Sequence, residues 1–160
     1  MSRLPSSKAC FFCSPDGDGL KMKIELVEGV VFCDFTLEAR FQGWEDVAHA
    51  GIVTGIIDEV MWWTIFAETR KLTLTRKLDT EFLRPVYCGK PYRVQGTLVR
   101  QEHGNIHVEA AIAGEDGKAA ARGHGLFRVA RNIAPSEFAT KLDFSHVSQE
   151  MKAMLLSEST

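Results

Sequence analysis

Asp58 and Glu59 are the only charged residues between Gly51 and Ala67, in a run otherwise made of Ile, Val, Met, Trp, Phe and small residues. Burying an unpaired carboxylate is costly, so each acid must find water, a partner or a chemical task. Adjacent helix positions are rotated by about 100°, so the two acids meet different surroundings. One can serve proton transfer or nucleophilic attack while the other faces an ion pair or a subunit interface. His49-Ala50-Gly51 stands nine residues ahead of Asp58. If a helix starts there, its first N–H groups lack intrahelical partners and sit at the positive end of the dipole, so a carbonyl placed against them has its developing oxyanion stabilised by backbone alone.

Other chemistry-bearing residues point less far. Cys10-x2-Cys13 has zinc-knuckle spacing, but no second Cys or His pair follows at ligand distance in the sequence, so no metal is expected and no redox cofactor is implied. Cys33 and Cys88 read as buried or turn thiols, and no Cys–His nucleophile can be argued. Trp62 and Trp63 read as core, with one of them able to line an acyl or aromatic pocket.

These residues need a scaffold, and composition bounds it. The chain has 160 residues, 45% hydrophobic and 25% charged, which is the balance of one globular domain with one core. Nineteen Lys and Arg against 21 Asp and Glu give a net charge of −2 with no dense basic block, arguing against nucleic acid as a partner. Residues 1–13 have no apolar stretch ahead of a small-residue cleavage site, so no secretory signal is expected. The 17-residue run from Gly51 to Ala67 is short of the roughly 20 residues that span a bilayer, so no membrane segment is expected either. Four cysteines without an export signal fit a reducing compartment, and a cytoplasmic location is expected.

Residues 1–19, with Pro5, Pro15, Gly17 and Gly19, read as an irregular leader. From Leu20 to Leu26 apolar and charged residues alternate as in a half-buried strand, and Glu28-Gly29 turns the chain into a second strand over 30–38. A loop follows over 39–48. The run 51–67 is too long for a buried strand and predicts an enclosed helix, apolar nearly all round. Leu72, Leu74, Leu78 and Phe82 then share one parity of a strand ending at Arg84-Pro85, with Thr75 on the opposite parity, away from the helix. Strands over 92–102, 105–113 and 118–129 form a meander, turned at His103-Gly104 and at Asp116-Gly117, the latter the strongest two-residue type I′ signal in the chain. Residues 131–160 form a tail with a short helix marked by Val147, Met151, Met154 and Leu155. The fold class expected is α+β, one helix wrapped by an antiparallel sheet.

The element order, His49-Ala50-Gly51-Ile52 and Asp58 resemble the hotdog-fold thioesterases of the phenylacetic-acid-pathway and 4-hydroxybenzoyl-CoA type. That family has His-Gly-Gly at the start of its central helix and an acid nine positions after the histidine. Thr75 to Val86, with Phe82-Leu83-Arg84-Pro85-Val86 and Gly89, the closing strand from Gly117 to Phe127, and Cys10-Phe11-Phe12-Cys13 with Gly19-Leu20-Lys21-Met22 add to the likeness. It covers residues 10–130, with 20–130 as the hotdog domain.

The resemblance implies hydrolysis of an acyl-CoA or related thioester at a homodimer interface, possible pairing into a tetramer, and no cofactor. Asp58 would be general base or nucleophile. Thr75 would position the attacking water, and His49, Ala50 and Gly51 from the other chain would orient and polarise the carbonyl. Two departures stand out: Ala50 occupies the position of the family's first glycine, and Gly43 that of an amide side chain six residues before the histidine, for which neighbouring Gln42 can substitute. Arg84, Lys90 and Arg122 are basic residues able to meet coenzyme A phosphates. The alternatives are a non-catalytic acyl-CoA binding module and a hotdog dehydratase. The second needs a proline-rich run between its histidine and acid, and this chain has no proline between His49 and Glu59.

Overall fold

The apolar run forms α1 over Ala50–Thr69, three residues longer than its sequence limits. Val53, Ile56, Ile57, Val60, Met61, Trp63 and Ile65 are almost wholly removed from solvent, as expected of a helix without a polar stripe. At 20 residues α1 is long and apolar enough to cross a bilayer by length and composition alone, a test that the buried core helix of a fold also passes. In the fold that surface packs against a sheet. The computed structural model describes residues 3–157.

In chain order the strands are β1 (Ser6–Ser7), β2 (Glu25–Val27), β3 (Val30–Thr36), β4 (Gln42–Trp44), β5 (Val47–Ala48), β6 (Thr73–Phe82), β7 (Pro91–Glu102), β8 (Asn105–Gly114), β9 (Ala119–Val129) and β10 (Leu142–Asp143). Six of them make one antiparallel sheet in the order β2-β3-β7-β8-β9-β6, and α1 packs against β3, β6, β7, β8 and β9. The architecture is α+β: helix and sheet are the two layers, and Val94, Ile106, Val108, Ile112 and Phe127 face α1 as the other half of the core. Two short ladders, β4 with β5 and β1 with β10, lie outside this sheet.

Four sequence expectations change. Residues 20–24 alternate in burial as expected, with Met22 and Ile24 inside, but their hydrogen bonds run to the leader (Leu20 N–H to Phe11 O, 3.1 Å; Met22 N–H to Phe12 O, 2.8 Å), so the first sheet strand is only Glu25–Val27. The residues read as a loop over 39–48 hold a 3-10 turn and the β4–β5 hairpin. Positive φ at both central residues, the mark of a type I′ turn, occurs at Glu28-Gly29 and His103-Gly104. At Asp116-Gly117 only Gly117 is positive, and Gly114 pairs with Gly117 and Lys118, so that hairpin closes through a longer loop.

The fourth change matters for the site. β6 carries a bulge at Arg76: Thr75 faces Phe127 and Lys77 faces Leu126 on β9, two steps on one strand against one on the other. An extra residue reverses side-chain parity across it. Thr73 and Thr75 before the bulge therefore share the inner face with Leu78 after it, so Thr75 lies on the side of its own helix and Leu74 is turned out, 64% exposed. Leu72 is buried just ahead of the strand, and Phe82 at its far end is 50% exposed.

The leader and the tail complete the enclosure of α1. Leu4 and Cys13 from one, Leu142 and Leu155 from the other, are buried with the core. The Phe12 ring lies against Gly55 so closely that a Cβ there would come within 2.0 Å of it, which is why the helix carries glycine at that turn. The tail forms α2 (Pro135–Ala139), absent from the sequence reading, and α3 (Gln149–Leu156). The end of α1 is tied to α3 by Arg70, whose Nε donates to Met154 O at 3.0 Å.

Candidate active site

His49 is the N-cap of α1. Its backbone is extended, its N–H donates to Phe41 O (2.9 Å), and its Nδ1 accepts the Gly51 N–H at 2.9 Å. An accepting Nδ1 is unprotonated in the neutral ring, which puts the proton on Nε2 and makes His49 an orienting group. The backbone of Gly43 explains the ring's seat: a Cβ on Gly43 would come within 3.1 Å of His49 Cδ2. Gln42, the neighbour able to substitute for the missing amide, is exposed, and its Oε1 accepts the Asp46 N–H (3.1 Å) inside the β4–β5 turn.

The cap partitions the first-turn amides. Gly51 N–H is taken by His49 Nδ1, and Ile52 and Val53 N–H both reach His49 O (2.9 and 3.1 Å). Ala50 N–H is left without an acceptor among the described residues, on an exposed residue at the positive end of the helix. An oxyanion fits there.

Two turns further along, Asp58 is half-buried, and Thr75 Oγ1 donates to its Oδ1 at 2.8 Å. Burial pushes the Asp58 carboxyl above the usual carboxylate range, and the Thr75 hydrogen bond opposes part of that rise. One oxygen is held, and the other has no protein donor among the described residues. Asp58 opens on a cavity of about 300 Å³ whose walls include Trp62, Trp63, Leu72, Leu74, Ile133 and Phe138. Trp62 stacks on Phe66 (5.4 Å between ring centres) and meets Phe138 at 5.5 Å, while its Nε1 donates to Thr73 O (3.0 Å), so the indole is fixed from three sides. Ile133 and Phe138 come from the tail, where no periodicity marks them.

Glu59 is half-buried and lines the same cavity as Asp58, so the two acids share one cavity, against the expectation of different surroundings, and differ in their partners. Its Oε1 accepts the Trp63 Nε1 proton (3.0 Å) and its Oε2 that of the Cys10 thiol (3.4 Å). The larger depression, about 840 Å³, lies on the outer sheet face between Arg93, Glu109, Arg122 and His124, and holds none of the expected site residues. Arg84 pairs with Asp116 (2.9 Å) and Arg122 with Glu81 (3.5 Å), while Lys90 Nζ sits 4.8 Å over the Tyr87 ring.

Residues 45–121 match the model of the thioesterase superfamily. No match was found among curated proteins. Among solved structures, a thioesterase superfamily protein is 25% identical with a TM-score of 0.64, over 68% of this chain and 56% of that one, so this chain spans little more than half of that relative's length. The E. coli PaaI protein from the phenylacetic acid degradation operon is 17% identical, with a TM-score of 0.64 over 70% of this chain and 81% of that one. A Bacillus halodurans protein solved with CoA is 20% identical, with a TM-score of 0.64 over 71% and 77%.

Proposed function

We propose that this chain, which matches the thioesterase superfamily model over residues 45–121, is a hotdog-fold thioesterase that hydrolyses an acyl-CoA or a related thioester with Asp58 as the acting carboxylate. The observation that carries the reading is the Asp58–Thr75 hydrogen bond of 2.8 Å at the mouth of an apolar cavity. Thr75 holds one carboxylate oxygen, and the free one takes a proton from water or attacks the carbonyl carbon itself. The acyl group lies against Trp62 and Phe138. With water as the nucleophile, collapse of the tetrahedral intermediate breaks the C–S bond, the proton held by Asp58 passes to the leaving sulfur, and a thiol and a carboxylic acid are released. With Asp58 as the nucleophile, the C–S bond breaks to leave an anhydride on Asp58, which water cleaves to the acid while its proton goes to the thiolate. The CoA held by the Bacillus halodurans relative supports CoA as the carrier.

The carbonyl oxygen is received by Ala50 N–H, with His49 fixing the helix start. Along one helix, Ala50 and Asp58 are eight residues and so about 12 Å apart, too far to serve one carbonyl. The reading therefore includes a homodimer in which the helix start of one chain meets Asp58 and Thr75 of the other. β6 supports this arrangement. It is an edge strand of 10 residues, with Leu74 and Phe82 exposed along it, and is suited to continue the sheet into a second copy. The free thiols of all four cysteines support a reducing, cytoplasmic setting.

The test is thiol release from short, long and aromatic acyl-CoAs by wild type and Asp58→Asn. Hydrolysis of one class by wild type that falls at least about 10²-fold in Asp58→Asn bears the reading out. Tight acyl-CoA binding without turnover would make the protein a binding module instead.

A further inference from the structure

The leader folds back so that Cys10 and Cys13 meet Glu59 of α1. Both sulfurs and a Glu59 carboxylate oxygen lie within 4.8 Å of one another, and Cys10 Sγ is 3.4 Å from Glu59 Oε2. With Zn–S near 2.3 Å and Zn–O near 2.1 Å, tetrahedral zinc separates a sulfur and an oxygen ligand by about 3.5 Å. Cys10 and Glu59 already stand at the spacing of ligands sharing one ion, and Cys13 Sγ lies within 4.8 Å of both.

Outer contacts hold them there. Backbone N–H groups of Ser7 and Phe12 donate to Cys13 Sγ and Cys10 Sγ, each at 3.3 Å, the kind of donor that stabilises a metal-bound thiolate. Trp63 Nε1 fixes Glu59 Oε1 at 3.0 Å and leaves Oε2 toward the sulfurs. The Phe12 ring packed over Gly55 docks the leader on the helix between the cysteines, so the ligands are assembled by packing.

The arrangement suits a cation better than thiol chemistry. A carboxylate pinned against two sulfurs repels a thiolate nucleophile and has no role beside a disulfide, whereas a divalent ion turns that repulsion into binding. Thiolate ligands favour zinc over magnesium or calcium, and the carboxylate is an ordinary zinc ligand.

We propose that Cys10, Cys13 and Glu59 bind one zinc ion through two thiolates and a carboxylate oxygen, with water in the fourth position, pinning the leader to the central helix one residue from Asp58. Both thiol protons leave to solvent on binding. The sequence alone argued against metal because it seeks ligands at short spacing, and Glu59 lies 46 residues beyond Cys13. The proposal stands on its own geometry and does not depend on thioester hydrolysis.

The test uses the tag-free full chain incubated with excess zinc and then desalted. Expected are one zinc per chain by elemental analysis, a lower melting temperature after chelation, and, with cobalt in place of zinc, a thiolate-to-cobalt charge-transfer band. Cys10→Ser and Cys13→Ser should abolish the band, and Glu59→Gln should weaken zinc binding at least about tenfold. If a variant does not fold, the wild type still decides: a thiol reagent should release the zinc in step with the modification of two thiols. No stoichiometric zinc, a Cys10–Cys13 disulfide in the native protein, or zinc retained in the double serine variant would overturn the proposal.

Discussion

Thr75 Oγ1 donates to Asp58 Oδ1 across 2.8 Å within one chain, joining the central helix to the edge strand at the point where the strand bulges. Without the extra residue at Arg76, a strand facing inward at Leu78 would turn Thr75 outward. The bulge thus sets the carboxylate: one oxygen is held by a hydroxyl from the sheet, and the other has no protein donor among the described residues.

Thr75→Val keeps the shape and removes the donor. It should lower kcat about tenfold, the worth of one hydrogen bond to a charged group, while Thr75→Ser retains most of the wild-type rate. Equal rates in Val and Ser variants, measured on the best acyl-CoA, would remove Thr75 from the mechanism.

The two adjacent acids should separate cleanly. Asp58→Asn preserves volume and still accepts from Thr75, so the fold survives while turnover falls at least about 10²-fold. Glu59→Gln disturbs the contacts to Trp63 and Cys10, so its effect should appear in melting temperature more than in kcat. A dead Glu59→Gln beside an active, folded Asp58→Asn would exchange their roles.

Burial raises the Asp58 carboxyl, and the pH dependence follows with opposite signs for rate and stability. The rate needs the carboxylate, so kcat/KM should rise with pH through a midpoint above the ordinary aspartate value of about 3.9, and Thr75→Val should move that midpoint higher. The folded chain binds this proton more tightly than the unfolded chain. The stability Asp58 contributes is therefore present below the unfolded value and lost as pH rises through the folded one. Asp58→Asn escapes that loss, so it should melt no lower than wild type at neutral pH, with the gap closing as the pH falls toward the unfolded value. A neutral-pH melting temperature well below wild type would contradict this.

How far the sequence was legible divides along physical lines. The enclosed helix, the meander and the position of the turn at His103-Gly104 are encoded locally, in periodicity and turn residues, and were read correctly; the type I′ geometry expected at Asp116-Gly117 occurs instead at His103-Gly104. Thr75 was assigned to the wrong face because a bulge carries no signal in a strand of Thr, Arg and Lys. The cavity wall at Phe138 and the meeting of Cys10 with Glu59 depend on leader and tail returning to α1, and such contacts leave no pattern along the chain. Asp58 and Glu59 stood out because a carboxylate in an apolar helix is costly enough to demand a reason, and only the resemblance singled out Asp58 for the proposed chemistry.

The remaining prediction isolates one backbone proton. Ala50 is the first residue of α1, where proline is well tolerated because that N–H has no helical partner, and His49 before it already has the extended backbone a following proline requires. Ala50→Pro should therefore melt close to wild type. It also deletes the single first-turn amide left free by the His49 cap, so turnover should fall about 10²- to 10³-fold, the cost of losing an oxyanion donor. In a shared site the damaged groups of Ala50→Pro and Asp58→Asn lie on different chains. Mixing the two inactive variants under subunit exchange leaves one intact site in each mixed dimer and should restore about a quarter of wild-type activity. Activity regained on mixing would establish that the helix start of one chain works on the acid of the other. A folded pair of variants that exchange subunits and stay inactive would remove Ala50 N–H from that role or return both groups to a single chain.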